Sequence, residues 1–360
     1  MAKELTEQGL SQKDIEYLPV YPDPISGRYR IAVCWCRERG WALNIESNPC
    51  QDFCCDPEID VKRNDWLIHT MINYNELVFN EAYISSFRKK GAFVGAILYD
   101  IIAEEHPEYF RARDAKLFSQ WLREIPKLDK IFTISRVTCD NFLNWIKREN
   151  ITLNASYGVF HLGADFSGIK EIPEKMAILP TELSSSPFFL TVSTIEPRKG
   201  YAQILDAFDA LWAQGYNVKL AIVGRQGWKV IGLCNRIREH KEFRKRIFWF
   251  EEANDLLLYE LYRQCRAVIV ASEAEGFGLS VVEAMYFKKK IIARDIPIFR
   301  EIGGSNMCFF VGDGLAIASA IKTFLLSGPD NNRGIGKAFT WKESFTQFSN
   351  VNVLCPKFFI

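Results

Sequence analysis

The residues best suited to chemistry are two glutamates set around a glycine-bearing turn, Glu275-Gly276-Phe277-Gly278-Leu279-Ser280-Val281-Val282-Glu283. The apolar run Ala267–Ala271 before them predicts a buried parallel strand. Leu279 to Phe287, dense in apolar residues and free of Gly and Pro, predicts a helix. A strand, a glycine loop and a helix start together make an anion site, because open backbone amides and the helix dipole face the ligand. Glu275 in the loop and Glu283 about one turn into the helix would repel a phosphate, yet both accept hydrogen bonds from hydroxyls. A ligand with phosphate and hydroxyls is a nucleotide sugar or a sugar phosphate.

A second group complements the first. Ile195-Glu196-Pro197-Arg198-Lys199-Gly200 follows the predicted strand 188–193, which places Arg198 and Lys199 at its carboxyl end. Adjacent cations suit a pyrophosphate, Arg as a forked donor and Lys as a mobile point charge. Cations at a helix start oppose its dipole, so a purely structural role explains them poorly. Val223-Gly224-Arg225-Gln226-Gly227-Trp228 is a further strand-end turn, with Gly224 and Gly227 permitting the bend.

These groups need a scaffold of alternating strands and helices. In the second half strands are expected at 188–193, 218–223, 246–250, 267–271 and 290–293. Helices are expected at 201–213, 229–241, 255–264, 279–287 and from about 315 to 326. In the first half Arg30–Cys36, Trp66–Met71, Ala92–Tyr99, Lys130–Ile134 and Val159–Asp165 are strand candidates, and 76–90, 113–124 and 137–148 are helices, the last capped by Ser135. Residues 1–30, with Pro19, Pro22, Pro24 and Gly27, are expected to be an irregular arm or a short helix followed by a loop. The alternation predicts two doubly wound α/β domains with a ligand cleft at the strands' carboxyl ends. The boundary falls in the Pro- and Ser-rich stretch 167–187, giving domains 1–175 and 176–340 and a C-terminal segment 341–360.

Composition narrows the function. A chain of 360 residues with 45 Lys plus Arg against 44 Asp plus Glu has a net charge of +1, without the basic footprint of a nucleic-acid binder. With 48% hydrophobic residues it can build cores. No apolar run reaches the ~18 residues of a membrane span, so membrane contact is at most peripheral; the basic patch Arg88-Lys89-Lys90 reads first as a solvated helix end. The polar start, Met1 to Asp14, is no secretory signal, and a cytoplasmic location is expected. Five of the ten cysteines lie between Cys34 and Cys55, but their spacing lacks two matched pairs, so no metal site is assigned. The absence of Gly-x-Gly-x-x-Gly after a strand argues against a nicotinamide-dependent dehydrogenase.

Residues 188–312 resemble the donor domain of a retaining GT-B glycosyltransferase of glycosyltransferase family 4, mannosyltransferase-like. The resemblance rests on Glu275 and Glu283 in the E-x7-E pattern, Ile195–Gly200, Val223–Trp228, Asp255–Tyr262 and Arg294–Glu301. It implies that Arg198 and Lys199 hold the donor pyrophosphate, and that Glu275 with the amides of Gly276, Phe277, Gly278 and Leu279 positions the sugar and distal phosphate. Gly224 lines the donor site, Glu283 takes the ribose hydroxyls, and Trp249–Ala253 lies beside the base. It further implies a hexose, mannose first, moved with retention and without a metal or other cofactor from a nucleotide-diphosphate sugar. The donor would be GDP-mannose, or a UDP-sugar, and the acceptor a glycan or lipid-linked hydroxyl. Trp341 resembles the family's last motif, where a helix crosses back to the first domain. In the first half Leu98–Ile102, His106-Pro107-Glu108 and His161–Asp165 match related mannosyltransferases. Tyr99 stands where many members carry a sugar-contacting histidine, which leaves Asp100 or His106 to assist. Residues 1–60 lack the family's opening Gly-rich loop. Two alternatives remain: a nucleotide-sugar-binding or accessory protein without turnover, and a sugar-nucleotide hydrolase or phosphorylase on the same fold.

Overall fold

The computed structural model describes residues 16–18, 20–22, 29–31, 58–70, 81–164, 179–303, 307–326, 338–351 and 357–359. The Cys34–Cys55 cluster, Asp165 and the first part of the 167–187 stretch lie outside the described residues. The chain divides into two compact units. Unit 1 holds Met1–Glu104, Arg113–His161 and Trp341–Ile360, and unit 2 holds Glu105–Ala112 and Leu162–Thr340. Unit 2 takes up the chain from Leu162, and the short stretch Glu105–Ala112 belongs to it; the boundary expected near residue 175 lies outside the described residues.

The strands of the first half are β1 (Glu16–Leu18), β2 (Val20–Pro22), β3 (Tyr29–Ile31), β4 (Trp66–His69), β5 (Phe93–Leu98), β6 (Lys130–Thr133) and β7 (Ser156–Val159). Its helices are α1 (Glu81–Lys89), α2 (Ile102–Glu105), α3 (Ala112–Glu124) and α4 (Arg136–Arg148). Val94 and Ala96–Leu98 are fully buried, the apolar run of a strand covered on both faces. Ser135 caps α4 as its position predicts, its hydroxyl accepting from the Thr138 amide at 3.0 Å. Two expectations shift. The arm 1–30 contributes β1 to the main sheet and β2 to an antiparallel pair with β3, pairings set by distant partners rather than by local pattern. The strand expected over Val159–Asp165 lies earlier, because its register pairs Ser156–Val159 with Lys130–Thr133.

Unit 2 continues with α5 (Thr181–Ser184), β8 (Phe188–Val192), α6 (Tyr201–Ala213), β9 (Lys219–Val223), α7 (Ile231–Arg238), β10 (Ile247–Phe250) and α8 (Asp255–Gln264). Then come β11 (Ala267–Val270), α9 (Leu279–Tyr286), β12 (Ile291–Arg294), α10 (Pro297–Gly303), β13 (Cys308–Phe310) and α11 (Gly314–Leu326). The last elements, α12 (Trp341–Val351) and β14 (Lys357–Phe359), belong to unit 1. There α12 lays Phe348 against Phe132 and Phe160, with ring centroids 4.8 and 5.2 Å apart. β14 enters the unit 1 sheet, whose order is β1-β14-β4-β5-β6-β7 with every pairing parallel.

The unit 2 sheet is wholly parallel in the order β10-β9-β8-β11-β12-β13. β9 and β11 are buried along their whole length, and Phe208, Leu211, Ile317 and Ile321 of α6 and α11 bury their side chains in the same core. Strand order reverses between β8 and β11. At such a switch point two successive crossovers leave the sheet on opposite faces, and the turns beyond the two strands open a crevice.

Candidate functional site

Both sequence-selected groups leave the sheet at that switch point, the cation pair after β8 and the Glu275 loop after β11. Pro197–Lys199 forms a single tight turn, and Gly200 (φ +70°) opens α6. A Cβ at Gly200 would stand 2.4 Å from the Ala271 carbonyl oxygen, so glycine alone lets this turn approach the end of β11 so closely. Across the gap, Gly278 takes φ +93° at the N-cap of α9, a left-handed position that ends the loop.

The two turns are tied by charge. Arg198 Nη1 donates to Glu275 Oε2 at 2.9 Å and to the Ala274 carbonyl at 2.7 Å, while its Nε lies 3.2 Å from Glu196 Oε2. Lys199 Nζ meets Glu275 Oε1 at 2.5 Å, and Ser272 Oγ donates to that oxygen at 2.8 Å. The backbone joins in, with the Glu273 amide donating to the Arg198 carbonyl at 2.8 Å. These side chains are 14%, 11% and 10% exposed for Arg198, Lys199 and Glu275, so their pairing is little screened. Burial pushes the Glu275 carboxyl up, but the charges of Lys199 and then Arg198 outweigh it and bring it down to about 2. Glu275 is thus a firm anion at every physiological pH.

Glu283 is a different carboxylate. Its Oε2 accepts from the Tyr262 hydroxyl at 2.5 Å. Burial raises its pKa, only partly opposed by that bond. The Tyr262 phenol is driven well above its usual value by burial and by the Glu283 charge, so it stays a donor. Its ring stacks on Phe287 at 5.2 Å. Tyr262 thus holds one of the two Glu283 oxygens, Oε2.

The remaining expected residues fall into place as follows. Gly276 and Phe277 are buried in the loop, and Leu279, 41% exposed, begins α9, whose opening amides lack acceptors within the helix. Gly224 ends β9; its carbonyl accepts from Trp249 Nε1 at 2.8 Å. Arg238 lies 4.4 Å over the Trp249 ring and holds Glu251 at 2.9 and 3.0 Å, which fixes the start of the Trp249–Ala253 stretch. Asp100 lies in unit 1, where its Oδ1 accepts from the Ile102 amide at 3.0 Å and caps α2. Tyr99 donates to the Thr70 carbonyl at 2.6 Å, and burial pushes its phenol up to about 12. His106 lies in the unit 2 stretch, half-exposed and 3.2 Å from Glu108. The structure thus joins Arg198, Lys199 and Glu275 directly, sets Gly276–Leu279 and Glu283 on the same loop and helix, and gives Asp100 a local capping bond.

Three contributors escaped the sequence reading: Glu196, Ser272 and Tyr262. Glu196 and Tyr262 sat inside the quoted motifs, but nothing in their spacing marked them as partners. Ser272 had one usable signal, its place between the predicted strand and the Glu275 loop. Among the described residues no group of three or more His, Cys, Asp or Glu side chains is placed to hold a metal ion. No helix among them is long and apolar enough to cross a membrane.

The chain is similar to known proteins in sequence and in fold. Residues 180–340 match the family of glycosyl transferases group 1. The matched stretch lies within unit 2. Over 327 residues the chain is 33% identical to the serotype-specific mannosyltransferase WbdA of Escherichia coli, covering 87% of this chain and 40% of that protein. The O-antigen chain mannosyltransferase RfbU of Salmonella typhimurium is 25% identical over 166 residues, 44% of this chain and 45% of its own. The chain spans about two fifths of the length of the curated relatives it matches. Among solved structures, the UDP-forming α,α-trehalose-phosphate synthase of Burkholderia vietnamiensis aligns with a TM-score of 0.57 at 14% identity, over 81% of this chain and 70% of that one. The trehalose-6-phosphate synthase OtsA gives 0.57 and 14%, over 81% and 72%. That likeness concerns the fold, which is GT-B with two Rossmann-like α/β domains.

Proposed function

We propose that this chain is a group 1 glycosyl transferase that moves a hexose, mannose first, with retention of configuration from a nucleotide-diphosphate sugar to a glycan or other hydroxyl acceptor. GDP-mannose is the first donor to test and a UDP-sugar the second, because the related proteins are named mannosyltransferases. The observation that carries the reading is the ion-paired trio Arg198, Lys199 and Glu275 at the switch point of unit 2. When the donor enters, its pyrophosphate takes over the two cations. Glu275 is released from them to accept hydroxyls of the sugar, and Glu283 accepts those of the ribose.

The reaction then follows from charge. The bond between the anomeric carbon and the diphosphate oxygen breaks, and its electron pair leaves with the diphosphate. Arg198, Lys199 and the opening amides of α9 stabilise that developing charge, a task that these cations and dipoles perform without a metal. The acceptor oxygen attacks the face the diphosphate leaves, and its proton passes to the departing diphosphate. The configuration is retained.

A thermal-shift panel of nucleotide sugars tests the donor half without an acceptor, since any ligand of the folded state raises its melting point by mass action. A stabilising nucleotide sugar followed by transfer to an oligomannose acceptor supports the proposal. Product formed from donor alone would assign a hydrolase or phosphorylase instead. Binding with no rate that responds to Glu275→Ala would assign an accessory binding protein.

A further inference from the structure

A stretch from the first half of the sequence is built into the donor-side unit. Glu105–Ala112 belongs to unit 2, and every one of its anchors is specific. Trp228 Nε1 donates to the Tyr109 carbonyl at 2.7 Å, and its ring stacks on Phe110 with centroids 5.8 Å apart. Lys229 Nζ reaches the carbonyls of Glu108 and Phe110. The Tyr109 hydroxyl then donates to Glu273 Oε2 at 2.6 Å. The other oxygen of Glu273 accepts from Gln203 Nε2 at 3.0 Å, and Gln203 is held in turn by Arg294, whose Nε donates to the Ala271 carbonyl at 3.0 Å.

Glu273 stands two residues before Glu275, and its amide is the one that donates to the Arg198 carbonyl. Its side chain is thus gripped from both sides while its backbone sets the spacing between the cation turn and the Glu275 loop. Burial first, and the Glu273 bond and charge next, push the Tyr109 phenol up to about 12, so it remains a donor across the working pH range.

We infer that Tyr109 is a positioning residue for donor transfer: through Glu273 it fixes the 272–278 loop so that Glu275 meets the sugar in the transition state. This rests on the transferase reading above. A fixed loop matters more to the transition state than to ground-state binding, because small misplacements of a reacting group cost rate before they cost affinity. Trp228 and Lys229 hold the strap itself. Tyr109 carries its effect to the loop through Glu273.

The test compares wild type, Tyr109→Phe, Glu273→Gln and the double variant in two readouts. The first is amide hydrogen exchange over 272–278, which needs no substrate. The second is the rate of transfer from the donor chosen by the thermal-shift panel, split into kcat and KM. Tyr109→Phe is expected to speed exchange in the loop and lower kcat about tenfold, with donor KM changed less than about twofold. The two single effects are expected to fall short of additivity in the double variant, as coupled residues do. Unchanged exchange and unchanged kcat in Tyr109→Phe, or additive effects of two impaired variants, would overturn the inference. If wild type transfers no sugar, the function reading fails by itself, and exchange over 272–278 still decides the strap: faster in Tyr109→Phe supports it, unchanged overturns it.

Discussion

Replacing Glu275 by Gln separates the pairing that the structure shows, with Arg198 and Lys199, from the sugar-aligning role proposed for the same side chain. In the free protein the carboxylate occupies the donors of Arg198 and Lys199, at 2.9 and 2.5 Å, that a diphosphate would use. A diphosphate must therefore displace it and then remain near it. Two unit charges about 6 Å apart at an effective dielectric of about 20 repel by roughly 3 kcal/mol, about a hundredfold in affinity. Water that reaches side chains 10–14% exposed reduces this, so Glu275→Gln is expected to bind GDP or UDP about tenfold more tightly. Transfer is expected to fall at least about a hundredfold, because the group that aligns the sugar has lost its charge. Stability carries its own sign. A carboxyl lowered from 4.5 to about 2 contributes roughly 3 kcal/mol above pH 4.5, lost as pH falls from there through about 2. The variant should therefore melt lower by on the order of 5–10 °C at neutral pH and should lack the wild-type loss between pH 4.5 and 2. Calorimetric titration with nucleoside diphosphate, rates with the chosen donor and melting curves against pH measure all three. Weaker diphosphate binding in a folded Glu275→Gln protein would refute the competition argument.

The same site supports three shorter tests. Lys199→Ala is expected to weaken nucleoside-diphosphate binding at least tenfold at pH 7, since a charge-assisted contact is worth about 1.5–3 kcal/mol; unchanged affinity by calorimetry removes the pyrophosphate assignment. Tyr262→Phe leaves the raised Glu283 carboxyl without the bond that favours its charged form, so that carboxyl should titrate higher still; the checks are a shift in the pH profile of donor KM and carboxyl titration by NMR. EDTA should leave transfer unchanged, with the two cations and the α9 start supplying the stabilisation; a loss of rate restored by a divalent ion would refute that part of the proposal.

Much of unit 2 was legible because its pattern is local. Runs such as Ala267–Val270 and Lys219–Val223 are short and apolar, each followed by a turn and a helix, and a parallel sheet buried on both faces demands that pattern. Where structure depends on distant pairing, the pattern was silent. β1 exists because β14, more than three hundred residues away, lies beside it, and the strand at Ser156–Val159 sits where β6 sets its register. Lys219 makes the point in one side chain. It is a cation within a buried strand, tolerated because its Nζ meets the Glu182 carbonyl and Ser185 Oγ at the entry to unit 2.

The site divides along the same line. Glu275, Arg198 and Lys199 were found because each follows an apolar strand, and strand order then brought the two turns together at the switch point. Sequence supplied the types but presented the cations as open to phosphate, whereas the folded protein holds them on Glu275. That contact changes the chemistry expected of the free protein. The cation pair is filled by an internal anion with a carboxyl near 2, so on the proposed function donor binding becomes an exchange of one anion for another. Glu275 and Glu196 together also spare the free protein two uncompensated charges in a poorly hydrated turn. Glu273 extends the argument. Its partner Tyr109 lies 164 residues earlier, and only the chain's return to unit 2 brings the two together. A donor loop held by a cation pair on one side and a strap on the other should discriminate less by whether a nucleotide sugar binds than by whether binding releases Glu275 in register with the sugar.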